Sequence, residues 1–98
     1  SSLWAADDLA AAILMGYFYY EYMKKQKKPY TALKNAKEYI RKASTGRLKR
    51  DGWFTYMLEQ DIDSKSRKLI RQYESGNESE CPFENEVYWG GFICYRCN

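Results

Sequence analysis

Two carboxylates stand side by side, Asp7 and Asp8, just after Trp4 in the run SLWAADD, and three thiols, Cys81, Cys94 and Cys97, lie near the other end of a chain without a single histidine. A carboxylate pair can hold a basic side chain, or it can sit at a helix start, where the dipole favours negative charge. A thiol attacks only as the thiolate, which needs an adjacent base or a depressed pKa. With no histidine there is no Cys–His pair, so the chain by itself is expected to be inert, with no catalytic residue of its own. Cys94 and Cys97 are spaced as CYRC, but one further cysteine completes neither a four-ligand zinc site nor a closed set of disulfides. They read as free thiols, which suits a reducing compartment and hence the cytoplasm. No metal and no cofactor are expected.

Charge is unevenly spread. Residues 24–50 hold eleven of the sixteen basic residues and one acid, Glu38, whereas residues 51–98 hold nine of the thirteen acids. The basic stretch lacks interleaved glycines and exposed aromatics of the kind that grip single strands, so it reads as a solvated helix surface with no nucleic-acid partner. The uncharged run at residues 9–20 reaches only about 18 Å as a helix, short of a bilayer core of about 30 Å. It reads as a buried helix, and no membrane partner is expected.

The elements that must position these groups follow from spacing. Asp7 or Asp8 is expected to cap a helix with Leu9, Ala12, Ile13, Gly16, Tyr20 and Met23 on one face, stopped by the lysines and Pro29. A second helix, capped by Thr31, turns Leu33, Ala36, Ile40 and Ala43 inward. The run STGRLKRDGW predicts a break. Short helices follow at residues 53–60 and 64–73, the latter burying Leu69, Ile70 and Tyr73. VYWGGFICYR predicts a strand, with Gly90 and Gly91 admitting another element against its backbone. Residues 1–4 read as the end of a strand. Strand end, two helices, helical insertion and C-terminal strand together predict an α/β fold. Ligands in such sheets bind at the carboxyl ends of strands, which would bring one aspartate to a cleft. Trp4 is then either a core anchor or a wall of that cleft.

Four runs in order, SLWAADD at residues 2–8, MGYFY at 15–19, ALKNA at 32–36 and YWGGF at 88–92, resemble the C-terminal part of the CHAT family. Its members are caspase-like cysteine peptidases related to separase and often joined to tetratricopeptide repeats. The resemblance covers residues 1–43 and 82–98, leaving 44–81 as an insertion. It implies a partial three-layer α/β/α caspase-like fold and a catalytic His and Cys carried upstream, on the N-terminal portion of the same domain. It further implies a protein or peptide substrate, with Asp7 or Asp8 as the acid that receives a basic P1 side chain. A non-catalytic interaction module is the alternative, because function resides in the site rather than the scaffold.

Overall fold

Alanine and leucine follow the two aspartates, and residues that lose little side-chain entropy in a helix form one there. This is α1, Ala6–Tyr19. The computed structural model describes residues 6–92, with side chains from Asp8 onward. α1 runs directly into a wider π-helical turn, Tyr20–Lys24. Gln26, left-handed at φ 55°, reverses the chain, and the Lys27 N–H closes the turn on the Glu21 carbonyl at 3.0 Å.

Pro29 opens α2, Pro29–Lys42, at the position where its missing N–H has no intrahelical partner to lose. The helix therefore starts before Thr31, with Lys28 as its N-cap. Ala36, Ile40 and Ala43 are buried as their spacing predicts, and Tyr39 joins them. Glu21 meets Asn35 and Tyr17 meets Tyr39. One turn back along α1 matches one turn forward along α2, so the two helices are antiparallel. Ala32 and Ala36, both fully buried, keep side-chain bulk out of the seam.

The expected break at STGRLK is a helix. Ser44 accepts a hydrogen bond from the Arg47 N–H at 3.2 Å and starts α3, Thr45–Arg50. Gly52, at φ 84°, lets the chain swing into α4, Trp53–Leu58. Asp63 caps α5, Ser64–Glu74, and its hydrogen bonds with the Ser66 side chain and backbone N–H hold its carboxyl below the usual range.

Leu9, Ile13 and Leu14 of α1 and Ile40 of α2 share one core with Leu48, Phe54, Met57 and Ile70. The last four come from residues 44–81, so the segment expected to lie apart as an insertion packs into the common core. Phe54 stacks on Tyr73, Tyr73 meets Phe83, and Phe83 takes the edge of Tyr88. That aromatic row carries the last described segment back onto the helices.

There is no strand and no sheet among the described residues, which form five α-helices, a π-helical turn and a 3₁₀ turn. The expected α/β architecture, a partial three-layer caspase-like fold, is thereby overturned. Residues 87–92 show why. A strand needs a neighbour for its N–H and C=O groups. Without one, Glu86–Tyr88 closes into a 3₁₀ turn, the Gly90 N–H bonds the Glu86 carbonyl at 2.6 Å, and Tyr88, Trp89 and Phe92 pack on the helical core. Gly90 serves its own turn, since a Cβ there would stand 2.6 Å from Glu86 Cγ, and nothing lies within 4 Å of a Cβ at Gly91. The strand end at residues 1–4 and the rest of the C-terminal strand fall outside the described residues. No helix among the described residues is long and apolar enough to cross a membrane.

Gly16 of α1 lies directly against the Trp53 indole of α4. A Cβ there would lie 2.6 Å from Trp53 Cη2 and 2.7 Å from Cζ3. Gly16→Ala gains about 1 kcal/mol of helix propensity. It also drives a methyl into a rigid indole, and overpacking of that kind costs about 1–3 kcal/mol. The clash is expected to win, so Gly16→Ala lowers the urea midpoint, and the loss is expected to be smaller when the substitution is made in a Trp53→Leu background than in the parent.

Candidate functional site

Asp7 and Asp8 both lie inside the first turn of α1, because the helix begins at Ala6. Neither is its N-cap, and carboxylates in a first turn are favoured by the helix dipole. The Asp8 side chain is exposed. Trp4 lies outside the described residues, as do Cys94 and Cys97. Cys81 is a free thiol whose Sγ donates to the Lys42 carbonyl at 3.4 Å. Among the described residues no group of three His, Cys, Asp or Glu side chains is placed to hold a metal ion.

The densest polar arrangement is elsewhere, around Tyr39. Its ring stacks on Tyr17 with centroids 4.3 Å apart and planes 6° from parallel. The Arg47 guanidinium lies over the same ring, 4.8 Å from the centroid. Its hydroxyl donates to Asp51 Oδ2 at 2.5 Å and accepts from Trp53 Nε1 at 2.8 Å. Burial pushes the Tyr39 phenol far above the ordinary tyrosine value. The Asp51 carboxylate reinforces that shift, and the Trp53 N–H works against it. This phenol is a fixed donor at neutral pH rather than an acid or base.

Beside it lies a shallow cavity of about 240 Å³ lined by Tyr17, Asn35, Glu38, Tyr39, Lys42 and Arg47. Its charges are matched internally. Glu38 accepts from Arg41 at 2.5 Å and pairs with Lys42 at 3.2 Å, which together hold its carboxyl below the usual range. Arg47 pairs with Asp51 at 3.6 Å. The cavity is thus a charge-balanced seam between α1, α2 and α3.

Glu21 is buried, which the sequence pattern does not suggest. At the α-helical spacing, Tyr20 and Glu21 straddle the inward direction, and the wider π turn brings Glu21 into line with it. The carboxylate accepts from Asn35 Nδ2 at 2.6 Å and pairs with Lys25 at 3.7 Å. Tyr20 and Met23, expected inside, are exposed instead, along with Tyr19, Tyr22 and Tyr30. Exposed rings therefore do adjoin the lysines. The missed Tyr39 had a signal, because Ala32, Ala36, Tyr39 and Ala43 recur at spacings of four, three and four.

No protein-family model, curated protein or solved structure matches this chain.

Replacing Tyr39 tests its arrangement. The folded-state pKa is raised, so the proton-linked stability is complete below the unfolded value of about 10 and is lost as pH rises through the folded value. Tyr39→Phe strands Asp51 and Trp53 Nε1 and is expected to cost about 1–3 kcal/mol at pH 7. In denaturant melts followed from pH 7 to pH 11, the gap between variant and parent is expected to narrow above pH 10. A constant gap would mean that the phenol is not held in its protonated form by the fold.

Proposed function

We propose that this chain works as part of a CHAT-type cysteine peptidase and forms a wall of the pocket that receives a basic P1 side chain. The resemblance puts the catalytic Cys and His on the N-terminal portion of the same domain, and this chain contributes no cofactor. One observation carries the reading. The segments at residues 15–19, 32–36 and 88–92 that carry the resemblance share one core with α1. Tyr17 and Phe18 of MGYFY, Ala36 of ALKNA, and Tyr88, Trp89 and Phe92 of YWGGF belong to that core or pack against it. Asp8 stands exposed in the first turn of α1.

In this role a thiolate attacks the scissile carbonyl and a histidine moves the proton, both supplied by the joined portion. An aspartate here holds the guanidinium or ammonium of the substrate peptide. A cytoplasmic setting, with Cys81 reduced, and attached tetratricopeptide repeats belong to the same proposal. The non-catalytic interaction module is the second reading, favoured by the exposed aromatic and basic end of the α1–α2 hairpin.

Separate Asp7→Asn and Asp8→Asn substitutions in the full-length protein test the pocket. A charge-assisted contact worth about 1.5–3 kcal/mol corresponds to a 10- to 150-fold fall in kcat/KM. The fall is expected for one of the two variants, on substrates with Arg or Lys at P1. Full activity of both variants on such substrates, or a parent preference for an acidic or apolar P1, would remove the pocket assignment.

A further inference from the structure

The end of the α1–α2 hairpin has a composition found nowhere else on the described surface. Tyr19, Tyr20, Tyr22, Met23 and Tyr30 are all between 42 and 65% exposed, within one hairpin end. Solvated single apolar side chains are ordinary, but five at one hairpin end are a concentration of the sort that marks an interaction site. Lys24, Lys25, Lys27 and Lys28 stand exposed among them. The only acid in residues 19–37 is Glu21, and it is buried and occupied by Asn35 and Lys25. Burying that carboxylate leaves an outer surface with cations and rings and no exposed acid to neutralise it.

We propose that this face docks an acidic polypeptide segment that carries apolar or aromatic residues among its carboxylates. Charge complementarity selects a polyanion. Two features select a polypeptide over a nucleic acid. Every cation in residues 19–37 is a lysine, a point charge without the guanidinium fork that matches phosphate in a bidentate way. Two of the rings also have a face already taken, which leaves less for stacked bases. Tyr22 is already stacked on Phe18 with planes 9° from parallel, and the Lys25 ammonium lies 5.7 Å from the Tyr20 centroid. The phenol hydroxyls and the Met23 thioether of this end suit side chains and carboxylates. The face lies at the opposite end of α1 from Asp7 and Asp8, so the inference is independent of the peptidase reading.

Fluorescence anisotropy on the full chain tests it. The probes are a labelled twelve-residue peptide of Glu and Asp with two Phe, its Gln and Asn counterpart, and an oligothymidylate of equal charge. The acidic peptide is expected to bind at low salt and to weaken at least tenfold by 200 mM NaCl, with the neutral peptide silent and the oligonucleotide weaker. The triple variant Lys24→Gln, Lys27→Gln, Lys28→Gln, which spares Lys25 and its partner Glu21, should lose at least tenfold in affinity and flatten the salt dependence. Tyr19→Ser with Tyr30→Ser should lose several-fold with the salt dependence unchanged, whereas Lys65→Gln with Lys68→Gln on α5 should bind as the parent does. Circular dichroism checks that each variant is folded. Equal or tighter binding of the oligonucleotide, indifference to the tyrosine pair, or no binding of the acidic peptide would each overturn the proposal. So would peptide binding that vanishes as the chain self-associates, since the face would then belong to a second copy.

Discussion

One phenol ties four helices together. Tyr39 sits on α2, stacks on Tyr17 of α1, lies under Arg47 of α3, and bonds both Asp51 at the end of α3 and Trp53 of α4. Each contact constrains another. Trp53 can reach the hydroxyl because Gly16 leaves room for its indole against α1. Asp51 is held for the phenol by its pairing with Arg47. A half-satisfied polar cluster at this depth would be worse than an apolar one, because a buried polar group without a partner loses its hydration for nothing. Complete satisfaction of the phenol is what makes the arrangement specific. It sets where α3 and α4 dock on the hairpin, and with them Leu48, Phe54 and Met57 in the core.

A second constraint shapes the surface. The π-helical turn widens the end of α1 just enough to turn Glu21 inward onto Asn35. Had the helix kept its pitch, Tyr20 would share that inward position and the carboxylate would lie nearer the lysines outside. The wider turn thus both seals the hairpin and leaves its outer end uniformly cationic, with rings exposed around it. Stability and surface character follow from the same backbone irregularity.

The helical architecture narrows what the peptidase resemblance can mean here. The described residues form no sheet, so nothing in the proposed role rests on strands from residues 6–92. What does support it is convergence. Residues of MGYFY, ALKNA and YWGGF share one core, and the segment 44–81 joins it through Phe54 and Ile70 instead of standing apart. Removing it would open that core, which is a different expectation from that of a dispensable surface loop.

Local signals in the sequence determined α1, α2, α4 and α5 to within a few residues, along with the inward placement of Ala36, Ile40 and Ile70. Propensity, period and capping act over a few residues, and those are readable in one dimension. The same locality explains the failures. VYWGGF has strand composition, but a strand exists only by pairing, and the described chain offers no edge, so its rings went to the helices. The expected break became α3 because Ser44 caps it and the Glu80 and Glu78 carbonyls take the Thr45 and Gly46 N–H groups, the latter two a tertiary contribution. The carboxylate pair at Asp7 and Asp8 was visible as a motif, whereas the Tyr39 cluster was not, because its members are spread from Tyr17 to Trp53 and meet only when the helices pack. Likewise the exposure of Tyr20 and the burial of Glu21 were decided by the π turn and the docking of α2, since whether a residue faces water depends on what the rest of the chain places against it.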